Sequence, residues 1–255
     1  VVLEVAVPVR GEPRPASLYL PDGDVAGTIV FVQGSGPGTA GGFPSLGARF
    51  ASLGIACLIV EKVMDGYTKL RRDYDTLACD ARDALVWAHS RPDLERRPVA
   101  LLGFSEGGWV STKAAALAPE LIDLLVLCSS PLTTPRAQTA YHQANADPGS
   151  SRTMRRIRYG LAWAIMSLAD YGDCDVIPLL RSVPVPVVLA VGADDPTIDV
   201  GLARDVFVRN RPHDPAPFIV SESGHHLMRN GPPPSPPSSP AARSCARTDP
   251  CPRLR

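Results

Sequence analysis

Six short apolar runs recur along the chain with helical segments between them, and this alternation limits the fold more than any other feature. The runs are TIVFVQG (28–34), ACLIVEK (56–62), VALLGF (99–104), LLVLCSS (124–130), VPVVLAVG (185–192) and PFIVSES (217–223). They are β-branched or aliphatic and lack polar alternation, as strands buried on both faces do. Helical spacing falls between them, at 43–54, 73–90, 106–119 and 199–210; within 73–90, Leu77, Ala81, Ala84, Leu85 and Ala88 share one side. Strand–helix–strand succession of this kind predicts an α/β fold: a mostly parallel, doubly wound sheet with helices on both faces. The opening VVLEVAVPV and SLYLP read as a leading antiparallel pair.

Two regions break the pattern. Residues 131–183 contain no strand-like run, and SRTMRRIRYGLAWAIMSLADYG (151–172) reads as a helix with an Arg-rich start and an apolar end. An insert of this size between two strands is expected to form a small helical cap over the sheet's edge, with a long crossover helix as the alternative. Residues 231–255 are rich in Pro, Ser and Arg, with too few large apolar side chains to offset the entropy of ordering them. A disordered tail is the expectation there. Residues 1–230 then form one domain, with 131–183 as its insert.

Charge and cysteine content narrow the function. The chain has 26 basic and 26 acidic residues, which gives no electrostatic reason to expect nucleic acid. No apolar run is long enough to span a bilayer. The six cysteines lie at no metal-ligand spacing, and Cys57 and Cys128 sit inside strand-like runs as small core residues. Reduced cysteines suggest a cytoplasmic protein. No metal or cofactor is expected.

The chemistry concentrates at strand ends. GFSEGG (103–108) fits G-x-S-x-G at the end of one run and the start of a helix. In that context the serine hydroxyl is presented above the sheet, and the N–H of Glu106 lies where helix-terminal donors favour an oxyanion. The plain alternative is an N-cap serine. A nucleophilic serine needs a base. Of five histidines, His225 lies in the loop after the last run and is favoured over His226; His89, His142 and His213 fall elsewhere. VGADDPTID (191–199) supplies carboxylates: Asp195 to orient the base, Asp194 as second candidate, and Asp199 as a helix N-cap. The loop VQGSGPGTAGGF (32–43) lacks the ending of a phosphate loop, so its glycines read as exposing backbone donors, with Ser35 N–H pairing Glu106 N–H in an oxyanion hole.

With GSGPG, GFSEGGW, VGADDP and SGHHLM in this order, and the Ser…Asp…His succession they carry, the chain resembles the α/β-hydrolases. The likeness is to the bacterial esterase, dienelactone-hydrolase and prolyl-oligopeptidase-like branch, over about residues 1–230. It implies a serine hydrolase with Ser105 as nucleophile, His225 as base and Asp195 as orienting acid, acting on a small-molecule carboxylic ester, thioester or amide. A peptidase of the same branch and a non-catalytic ligand-binding protein are the alternatives. Three departures stand out, one being that the insert 131–183 carries no motif of the family. Gln33 replaces the histidine often found before the oxyanion glycine, and EKVMDGYT (61–68) replaces the Asp-x-Arg-Gly-x-Gly turn.

Overall fold

Every one of the six apolar runs forms a strand in the computed structural model, which describes residues 1–94, 97–147, 149–171 and 174–227. In chain order the strands are β1 (Val2–Val9), β2 (Glu12–Tyr19), β3 (Gly27–Val32), β4 (Ile55–Val60), β5 (Val99–Phe104), β6 (Leu124–Cys128), β7 (Val187–Gly192) and β8 (Phe218–Val220). They build one eight-stranded sheet in the order β1-β2-β4-β3-β5-β6-β7-β8. β1 pairs antiparallel with β2, and β2 antiparallel with β4; all pairs from β4 to β8 are parallel.

The helices are α1 (Pro44–Ser52), α2 (Tyr74–His89), α3 (Gly107–Leu117), α4 (Pro135–Asn145), α5 (Arg152–Met166), α6 (Val176–Ser182) and α7 (Val200–Asn210). Right-handed crossovers dictate where they lie. From β3 the chain steps outward to β4, then returns past β3 to β5 and continues in the opposite direction. The first crossover therefore lays α1 on one face, and the later ones lay α2, α3 and α7 on the other.

The core divides accordingly. Val30, Leu58, Leu101, Leu125, Leu127 and Leu189 point to the face holding α2, α3, α6 and α7, and include fully buried leucines. The neighbouring strand positions Ile29, Phe31, Cys57, Ile59 and Leu102 point to the opposite face, where Leu46 and Phe50 of α1 meet them. The predicted stripe of α2, Leu77, Ala81, Ala84, Leu85 and Ala88, is buried throughout.

Three expectations are modified. The insert after β6 holds three helices, α4, α5 and α6, rather than one. α4 carries little apolar periodicity and is started instead by Thr134, whose hydroxyl accepts from Ala137 N–H, and by Pro135 at its first position. α5 stops at Met166, short of residue 172. The last strand is only three residues long: β8 is an edge strand with β7 as its partner, and Phe218 and Ile219 are exposed. Residues 231–255, and with them Cys245 and Cys251, lie outside the described residues. No helix among the described residues is long and apolar enough to cross a membrane.

This topology fixes where a site can form. β3 and β5 are neighbours, yet their following connections leave in opposite directions, which opens a crevice at their carboxyl ends. The loop 33–43 and Ser105 both emerge there.

Candidate active site

Ser105 follows β5 and lies just before Glu106, the N-cap of α3, which begins at Gly107; its φ is +53°, in the left-handed region that non-glycine residues rarely occupy. The surroundings enforce that conformation. The Ser105 N–H donates to Cys128 O at 2.9 Å and its carbonyl accepts from Gly108 N–H at 2.9 Å, so the turn is held from both sides. A Cβ on Gly107 would lie 2.2 Å from Val32 O, so only glycine lets α3 start this close to β3. Strain at one residue, fixed by its neighbours, is a common mark of a functional position.

The Ser105 hydroxyl lies 3.0 Å from His225 Nε2, and His225 Nδ1 lies 2.8 Å from Asp195 Oδ2. The Asp195 side chain is completely buried. Its second oxygen, Oδ1, accepts from Thr197 N–H at 2.8 Å and Ile198 N–H at 3.3 Å, which locks the carboxylate in place. As a carboxylate it only accepts, so His225 Nδ1 carries the proton and Nε2 is left to accept from Ser105. The β7 and β8 loops meet because Gly192 has no side chain: a Cβ there would lie 2.3 Å from Ser223 O and Gly224 O. Across that contact Asp194 N–H donates to Ser223 O at 3.0 Å.

The other candidates make different contacts. Asp194 is exposed, and Asp199 accepts from Leu202 N–H at 2.9 Å as the N-cap of α7. His226 is exposed and stacks on Phe104. His89 meets Leu121 O near the end of α2, and His213 is exposed. His142 lines the cavity above Ser105 from α4.

Ser35 and Glu106, expected to supply the two N–H donors of an oxyanion hole, lie next to each other through their side chains. A Cβ on Gly34 would meet Ser105 Cβ at 3.3 Å, so the loop lies against the serine. Ser35 Oγ donates to Glu106 Oε2 at 3.2 Å.

The side chain of Glu106 is the feature that sequence reasoning missed. It is 1% exposed and surrounded by donors. Lys62 Nζ reaches Oε1 at 2.6 Å and Tyr67 Oη reaches it at 2.7 Å. Arg72 Nη1 bonds Oε2, and Tyr74 Oη approaches it at 3.3 Å. Burial opposes ionisation, but the adjacent Lys62 and Arg72 charges outweigh it and hold the carboxyl below the usual carboxylate range. Burial, with the Glu106 charge behind it, pushes the hydroxyls of Tyr67 and Tyr74 far above the usual tyrosine range, so both remain donors. The signals in the sequence were a lysine closing a buried strand and a glutamate among glycines at a buried helix start. Nothing in the sequence joined residues 62, 67, 72, 74 and 106.

A cavity of about 940 Å³ opens above Ser105. Its floor includes Gln33, Ser35, Phe104 and His225; Trp109 and Tyr171 form part of the wall, and Gln138, His142, Ala162 and Met166 of α4 and α5 border it, with Leu161 and Ile165 at its exposed edge. Trp109 both packs and lines the cavity: Nε1 donates to Thr133 O at 2.9 Å, and the ring meets Tyr74 edge to face. Arg158 also reaches the cavity, whereas Arg152 and Arg156 of the same helix are exposed.

Comparison of the sequence with protein-family profiles and with curated proteins gave no match. Solved structures do match. DcsB, determined in complex with its substrate analogue, superposes with a TM-score of 0.65 at 18% identity, over 90% of this chain and 92% of its own. The esterase of the archaeon Pyrobaculum calidifontis gives 0.62 at 19% identity, over 88% and 77%. A dienelactone hydrolase from Anabaena variabilis gives 0.61 at 18% identity, over 91% and 90%. The protein has the α/β-hydrolase fold.

Proposed function

We propose that the protein is a serine hydrolase that cleaves a carboxylic ester through an acyl-enzyme on Ser105. One observation carries the reading: a serine held at positive φ between a strand and a helix, with its hydroxyl 3.0 Å from His225 Nε2 and that histidine bonded to buried Asp195. Esterases and a dienelactone hydrolase among the structural neighbours agree with it.

In this mechanism His225 Nε2 takes the Ser105 proton as Oγ attacks the acyl carbon. The carbonyl π electrons move to oxygen, and the resulting oxyanion lies against the N–H groups of Ser35 and Glu106. Asp195 keeps Nδ1–H aimed at itself and stabilises the imidazolium. His225 then returns the proton to the leaving alkoxide as the C–O bond breaks, which releases the alcohol. Water, deprotonated by His225, attacks the acyl-enzyme. Collapse of that second intermediate frees the acid and restores Ser105. The mechanism extends to thioesters and amides, whose leaving groups accept the same proton. Residues 131–183 act as a cap, since α4 and α5 wall the space above the serine.

The test is hydrolysis of p-nitrophenyl esters together with labelling by a fluorophosphonate. Ser105→Ala is expected to abolish both. Turnover at the parental rate by Ser105→Ala would remove the assignment.

A further inference from the structure

Three consecutive residues of the loop after β3 are each tied to one buried network. Gly34 O accepts from Lys62 Nζ at 2.9 Å, Ser35 Oγ donates to Glu106 Oε2 at 3.2 Å, and Gly36 N–H donates to Tyr67 Oη at 3.1 Å. Lys62 and Tyr67 in turn bond the Glu106 carboxylate at 2.6 and 2.7 Å. Glu106 thus anchors one segment with its side chain while its own backbone N–H starts the other.

The geometry of the peptide group gives this network a direction. No peptide bond among the described residues is cis, so the carbonyl of Gly34 and the N–H of Ser35 point oppositely within one plane. Whatever holds Gly34 O therefore sets where Ser35 N–H points. Lys62 holds it, and Lys62 is itself fixed by Glu106 and by the ring of Tyr67, 4.4 Å from its ammonium. The ammonium of Lys62 and the guanidinium of Arg72 share this one carboxylate, so the network carries excess positive charge beside the loop.

We propose that Lys62, Tyr67 and the Glu106 side chain are positioning residues that clamp the 34–36 loop so that Ser35 N–H and Glu106 N–H converge on one oxyanion. The proposal rests on the serine-hydrolase reading above. It assigns a task to EKVMDGYT, whose departure from the usual turn had no explanation in the sequence. Preorganised donors matter in the transition state far more than in the ground state, so the clamp governs kcat rather than substrate binding.

The variants are Lys62→Met, which removes the ammonium at similar length, and Tyr67→Phe, which removes only the bridging hydroxyl. Each is assayed for kcat and KM on a p-nitrophenyl ester, for affinity toward a trifluoromethyl ketone that forms a tetrahedral adduct, and for thermal unfolding. Lys62→Met is expected to lower kcat about 100-fold and Tyr67→Phe about 10-fold, with KM within about two-fold of the parent. Affinity for the ketone falls by the same factors. Kcat near the parental value in both folded variants overturns the proposal, as does a loss carried by KM alone or a fall in kcat without weaker ketone binding. Should Lys62→Met fail to fold, the isosteric Tyr67→Phe decides the matter by the same criteria. Ser105→Ala, run alongside, separates the two readings. If it is inactive while both variants are unimpaired, the clamp fails and the hydrolase stands; if it is fully active, the hydrolase reading fails.

Discussion

Ser105 and His225, 120 residues apart in sequence, meet at 3.0 Å between Oγ and Nε2, on loops that leave β5 and β8. On the proposed reading Asp195, buried against the histidine and held by two backbone N–H groups of its own loop, orients it. Asp195→Asn keeps the shape of that contact but removes the carboxylate that, in the proposed mechanism, fixes the tautomer and stabilises imidazolium. A fall in kcat of about 10⁴ is expected, with the folded structure retained by circular dichroism. A loss below about ten-fold would show that Asp195 does not orient the base.

Close approach at the start of α3 depends on glycine. In Gly107→Ala the new methyl would lie 2.2 Å from Val32 O and 2.8 Å from Gln33 O, both backbone atoms that cannot swing away. The expected result is a loss of about 1–3 kcal/mol in urea unfolding together with a large fall in ester turnover, because β3 and Ser105 must separate. Parental stability would mean that the α3 start tolerates displacement.

Stability should also respond to acid through Glu106. Its carboxyl titrates below the usual range when folded, whereas in the unfolded chain it returns to about 4.3. A depressed folded value means the contribution is complete above the unfolded pKa and is lost as pH falls through the folded one. The stability gap between parent and Glu106→Gln is therefore expected to be level from about pH 5 to neutrality and to shrink toward lower pH. A gap that widens on acidification would contradict this sign.

Leu161 and Ile165 line the cavity from α5 yet are 61% and 48% exposed, so they form its open rim. On the proposed reading a long acyl or alcohol chain reaches this rim and a short one does not. Leu161→Ser should raise KM for octanoyl esters by about five-fold or more while leaving acetyl ester kinetics near the parental values. Equal effects on both esters would place the chain elsewhere.

Burial predicts the behaviour of two thiols. The Cys57 and Cys128 thiols are pushed up by burial to about 12 and about 11. At pH 8 iodoacetamide is expected to leave both unmodified in the native protein and to alkylate both after unfolding, as read by peptide mass spectrometry. Native-state alkylation of Cys57 would show that the β4 core opens.

The sequence by itself determined the strand succession, because runs such as TIVFV and VALLGF are apolar on both faces and leave a parallel sheet as the way to bury them. It also determined which residues could gather at the strand ends: Ser105, Asp195 and His225 each follow a recognisable run, and local glycines mark the turns. The helices of the insert were only partly legible, since α4 is set by a Thr134 cap and by contacts with α5 rather than by its own periodicity. The Glu106 network belonged wholly to tertiary structure. Lys62, Tyr67, Arg72 and Tyr74 carry no shared spacing with Glu106, and a buried carboxylate can be kept charged only where the fold supplies cations and donors from other segments. Local chemistry fixed the elements and their ends; the packing of β3 beside β5 decided which distant side chains would have to satisfy one another there.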